Sequence, residues 1–115
     1  MVTPRLTLLA TLLFLCIGPT AALTIKEYQD GKNGNRDIKD MTSAYMSGMG
    51  AAYTWANLEL ERDRQPLLFC QPKALALRPD LLTQLLDREI QNPAYRPEHP
   101  IEAALMFALK RAFPC

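Results

Sequence analysis

Two kinds of apolar run divide this chain. Leu6 to Ile17 (LTLLATLLFLCI) is continuous and carries no charge. From Leu23 onward apolar residues instead recur at intervals of three and four, the period of an amphipathic helix. Thr24, with Glu27 three residues later, fits a capping box opening a short helix from Ile25 to about Asp30. Asp30 to Asn35 (DGKNGN) breaks it, because glycine and asparagine tolerate turn geometry. A long helix follows from about Asp37 to Arg62, with Ile38, Met41, Tyr45, Gly48, Ala52, Trp55 and Ala56 on one face. That spacing predicts these residues, Trp55 among them, to point inward. Gly48 and Gly50 each cost about 1 kcal/mol against alanine inside a helix. Close approach of another helix is the expected compensation.

Pro79, at a first-turn position, opens a third helix to about Gln91, with Leu81, Leu82, Leu85, Leu86 and Ile90 as its buried stripe. Asn92 to His99 contains Pro93 and Pro97 and reads as an ordered, non-helical connector. The last helix is expected from about Pro100 to Phe113, with Ile101, Ala104, Leu105, Ala108 and Phe113 inward. No strand pattern competes. The expectation is an all-α fold, a small compact bundle of about four helices with one disulfide.

The continuous run is too short to span a bilayer, which takes about 20 apolar residues. Arg5 lies before it, and Gly18 to Ala22 (GPTAA) supplies small residues behind it. This is the layout of a signal peptide, residues 1–22, with the cut after Ala22. Lipidation at Cys16 is the alternative, but Leu15 and Phe14 stand where a small residue normally precedes the modified cysteine. Export places the mature chain, 23–115, in an oxidising, periplasm-like space. It retains two cysteines, Cys70 and Cys115, so one intramolecular pairing is available. Residues 23–115 suffice for a single small domain, whose surface-to-volume ratio makes it marginal without such a staple.

Charge and motif content narrow the function. All 12 acidic residues and 12 of the 13 basic ones fall in the mature part, leaving no basic excess for nucleic acid or an anionic membrane. Glu59 to Arg64 (ELERDR) changes sign almost residue by residue, as solvated helix ends do. The single histidine, His99, lies beside Pro100 and cannot make a zinc site with two committed cysteines. Glu59, Glu61 and Asp63 lack the spacing of a calcium loop. The glycines follow no phosphate-loop pattern. The chain reads as a non-enzyme without cofactor or metal.

Several segments together resemble a known family: Tyr45-Met46-Ser47-Gly48, Phe69-Cys70-Gln71-Pro72, Leu82-Thr83-Gln84-Leu85-Leu86, Asn92-Pro93, Ala103-Ala104 and the terminal Ala112-Phe113-Pro114-Cys115. This set is similar to the Tai-type (Rap/Tai) immunity proteins of type VI secretion, from about Met41 to Cys115. The resemblance implies a secreted helical bundle, often dimeric, that protects a cell from peptidoglycan amidases injected into its periplasm. Many relatives carry a further cysteine pair before the Tyr-x-x-Gly motif. Here Asp40, Met41 and Thr42 occupy that neighbourhood, which implies a less tightly stapled first helix.

An inhibitor of this kind would occlude an active site with a pre-ordered loop, since pre-ordering reduces the entropy lost on binding. The proline-stiffened connector 92–99 suits that task, with Tyr95, Arg96, Glu98 and His99 as partner-binding candidates. A peptidoglycan amidase effector is the implied partner, and a homodimer the implied assembly. The runner-up is a periplasmic holdase, resembling small helical acid-stress chaperones, or an envelope protein of unassigned role.

Overall fold

Capping chemistry sets where the helices begin. In the computed structural model, which describes residues 22–115, α1 spans Ile25–Lys32, α2 Arg36–Arg62, α3 Pro79–Glu89 and α4 Ile101–Ala112. The leader predicted over 1–22 lies outside the described residues except for Ala22. The fold is all-α: no strand forms among the described residues, where Thr24 and Pro100 make an isolated bridge. Thr24 Oγ1 accepts from the Glu27 amide at 3.1 Å, and Glu27 Oε2 accepts from the Thr24 amide at 2.8 Å. This reciprocal box starts α1 by satisfying two otherwise unpaired donors. Gly31 is buried within the helix rather than after it, so α1 reaches Lys32. Asn35 then caps α2 by accepting from the Ile38 amide at 3.0 Å. Pro79 opens α3 without needing its missing N–H.

The core forms where α3 packs on α4 and α2 closes over α3. Tyr28, Met46, Phe69, Leu82, Leu86, Ile101, Leu105 and Leu109 are its largest fully buried side chains. The non-helical segment after α2 contributes Phe69. Asn57 holds that segment in place: its Oδ1 accepts from the Leu68 amide at 2.8 Å, and its Nδ2 donates to the Phe69 carbonyl at 2.9 Å. Cys70 and Cys115 are bonded, the pairing expected from the sequence. The Cys70 amide also donates to the Phe113 carbonyl at 2.8 Å, so the chain end is tied by backbone as well as sulfur.

One face assignment is corrected. α2 buries Met46, Met49 and Gly50, with Tyr53 partly covered. Ile38, Met41, Tyr45, Trp55 and Leu58 are exposed, and Trp55 is 66% so. The buried face is the predicted one displaced by one residue, a rotation of about 100°. Both arcs of this helix are apolar, so spacing alone could not say which one meets α3. The glycines exchange roles for the same reason. A Cβ at Gly50 would stand 2.8 Å from the Leu77 carbonyl oxygen and 2.8 Å from Leu82 Cδ1, whereas at Gly48 it would meet nothing within 4 Å.

The two glycines should therefore respond oppositely to alanine. Gly48→Ala is expected to stabilise by about 1 kcal/mol, through helix propensity at an exposed position. Gly50→Ala should destabilise by ~1–3 kcal/mol, because backbone at Leu77 must shift. Urea denaturation of the two variants checks this. Equal shifts of the same sign would refute the placement of the close approach.

Candidate partner-binding surface

The connector 92–99 is assembled from its own backbone turns and then clamped by α1. The Asn92 carbonyl accepts from the Tyr95 amide at 3.0 Å, and Asn92 Oδ1 accepts from the Ala94 amide at 3.0 Å. This is the side-chain turn that asparagine before proline favours. The Arg96 carbonyl accepts from the His99 amide at 3.0 Å, and the Arg96 amide donates to His99 Nδ1 at 3.1 Å. From the side, the Ile25 amide donates to the His99 carbonyl at 2.9 Å and the Lys26 amide to the Pro97 carbonyl at 3.0 Å. These bonds use the amide donors that the start of α1 leaves free. Sequence reasoning missed this clamp, since α1 and the connector are distant in the chain.

The four candidate residues divide into two pairs. Tyr95 is half-buried against the core, and its hydroxyl donates to Glu89 Oε1 at 2.8 Å. Burial, reinforced by the Glu89 carboxylate, pushes its phenol up to about 12. His99 is also half-buried and meets Tyr95 edge-to-face, with ring centroids 6.3 Å apart. Arg96 and Glu98 are exposed and face each other at 3.2 Å. The structure thus makes Tyr95 and His99 the braces of the loop, and Arg96 and Glu98 its presented charges.

Glu89 is the support beneath. It is 8% exposed, and Arg111 Nε on α4 donates to it at 3.1 Å. A carboxylate so deeply placed needs such partners, because an unpaired buried charge is costly. A shallow groove of about 390 Å³ opens beside it, between the connector and α4, lined by Asn92, Tyr95, His99, Phe107 and Arg111 among others. Phe107 is half-exposed there. It stands off the inward stripe of α4, which is the signal that could have marked it in the sequence.

The second surface is the stripe of exposed apolar residues on α2, from Ile38 to Leu58. Gly48, Ala51 and Ala52 are exposed at its middle, between larger residues at either end. Among the described residues, no three acidic, histidine or cysteine side chains are grouped to hold a metal ion. No helix among them is long and apolar enough to cross a membrane. No family model matches the chain, and neither a curated protein nor a solved structure does.

Proposed function

We propose that the mature chain is a secreted, non-catalytic binding protein that inhibits a peptidoglycan amidase effector in the manner of the Tai-type immunity proteins it resembles. The observation that supports this reading is the clamped connector, which presents Arg96 and Glu98 on a backbone held from both ends and from α1. A loop ordered before contact loses little further entropy on docking. The neighbouring groove with half-exposed Phe107 adds apolar surface of the kind that anchors interfaces. Its place is a periplasm-like compartment, reached through the predicted leader.

The exposed α2 stripe supports the implied homodimer. Small residues at its centre allow two helices to approach closely, and an antiparallel crossing there would set Met41 and Tyr45 of one copy against Trp55 and Leu58 of the other. Such an interface is isologous, the same patch on both subunits. The stripe is also the observation that favours the holdase reading, because it offers apolar surface to unfolded clients.

The test is protection of purified peptidoglycan from periplasmically acting amidases by the mature protein. Arg96→Ala should weaken inhibition of the cognate enzyme by ~2 kcal/mol, some thirtyfold in affinity, while changing stability by less than about 1 kcal/mol. Tyr95→Ala should instead destabilise the fold by roughly 2 kcal/mol, because it exposes Glu89 and empties part of the core edge. Inhibition undiminished by Arg96→Ala would reduce 92–99 to a connector. Suppression of client aggregation without inhibition of any amidase would favour the holdase.

A further inference from the structure

The strand-like entry to α1 holds a feature that the inhibitory reading does not use. Glu102, in the first turn of α4, has one carboxylate oxygen, Oε2, buried without a hydrogen-bond partner among the described residues. Its Oε1 accepts from the Tyr45 hydroxyl, and its carbonyl accepts from the Tyr53 hydroxyl at 2.6 Å. Glu102 takes part in none of the ion pairs of the described residues. A carboxylate partly withdrawn from water with an unpaired oxygen is an acceptor awaiting a cation.

The backbone of Leu23 lies beside it. The Leu23 carbonyl accepts from the Ile101 amide at 2.9 Å, Thr24 bridges to Pro100, and the Leu23 side chain packs on the core. Leu23 and Tyr45 line one groove, and the Tyr45 hydroxyl donates to the Glu102 carboxylate. Leu23 thus stands beside both Tyr45 and the first turn of α4, the two elements around the Glu102 carboxylate. Ala22, immediately before, is exposed.

We propose that the Ala22–Leu23 peptide bond is a processing site and that the α-ammonium it releases docks on Glu102. An envelope endopeptidase selecting small residues would add water across that bond. Ala22 leaves as a carboxylate with the leader, and the Leu23 nitrogen takes up protons as an ammonium. Where the uncut amide has one N–H, the ammonium has three. One of these donors reaches the unpaired Oε2. Cleavage thus converts an unsatisfied acceptor into an ion pair between the new chain start and α4. The pair would fix the entry to α1, and α1 clamps the connector. This inference rests on the leader reading and is independent of the amidase reading.

The experiment has two arms. Full-length protein expressed with its leader is recovered from the periplasm of a Gram-negative host, and its mass and N-terminal residue are determined. A start at Leu23 is expected. Trimming at another residue would leave export standing and overturn the proposal, and an intact chain would overturn both. In the second arm, protein released from a fusion with a free Leu23 start is compared with its α-N-acetylated form, each with Glu102 and with Glu102→Gln. The free start should melt higher by about 4 °C or more with Glu102, and the difference should vanish with Glu102→Gln. Equal melting of the free and acetylated forms, or an unchanged difference in Glu102→Gln, would overturn the docking. If Glu102→Gln does not fold, the free and acetylated forms of the unsubstituted protein decide.

Discussion

Reduction of the Cys70–Cys115 bond is expected to lower the unfolding free energy by about 4 kcal/mol. The two cysteines are 45 residues apart, and the chain-entropy model assigns that loop ~4 kcal/mol at 25 °C. Both residues are exposed, so little packing is lost with the sulfurs themselves. Nearly all of the effect acts through the unfolded chain, which the bond keeps from expanding. The reduced protein should accordingly show a steeper dependence on urea as well as a lower midpoint. The paired Cys70→Ser and Cys115→Ser substitutions, assayed by urea denaturation, should match the reduced wild type. A loss under 1 kcal/mol would mean that the Cys70 amide bond to Phe113 and the packing of Phe113 already hold the chain end.

Tyr28→Ala is expected to cost ~3–5 kcal/mol, the range for truncating a fully buried aromatic residue. Tyr28 has no exposed surface, and its hydroxyl donates to Asp87 Oδ1 at 2.8 Å, which joins α1 to α3. Lys32 reaches the other oxygen of the same carboxylate. Burial and the Asp87 bond both raise the phenol well above its ordinary value, so the ring remains a neutral donor at any working pH. Tyr28→Phe, which keeps the packing, should cost only about 1 kcal/mol. The larger variant has a functional consequence. α1 clamps the connector through the Ile25 and Lys26 amides, so hydrogen exchange at these two amides should rise steeply in Tyr28→Ala and little in Tyr28→Phe. Unchanged protection there would show that the connector keeps its shape without α1.

Local chemistry made most of the helical map readable in advance. Thr24 and Glu27 announce α1 because the capping box is complete within four residues. Pro79 announces α3 because a helix start has no use for its amide hydrogen. The inward stripes of α3 and α4 were largely legible as well: Leu82 and Leu86, then Ile101, Ala104, Leu105 and Ala108, are all buried. The disulfide agrees with the expectation from counting, in which removal of the predicted leader leaves two cysteines and one way to join them.

Long-range contact decided the rest. α2 carries apolar residues on adjacent arcs, and only the approach of Leu77 and Leu82 to Gly50 selects the arc of Met46 and Met49 as inner and leaves Trp55 outside. Periodicity reports that a helix has a face, but a helix with two of them needs a partner to choose. The connector shows the same division. Pro93, Pro97 and Asn92 marked it as a turn-rich link. Whether Tyr95 points out as an anchor or in as a brace depended on Glu89 and Arg111, which lie 6 and 16 positions away on different helices. Turn chemistry is local and can be read along the chain. The destination of an aromatic side chain is set by which polar and apolar groups the completed fold brings to it.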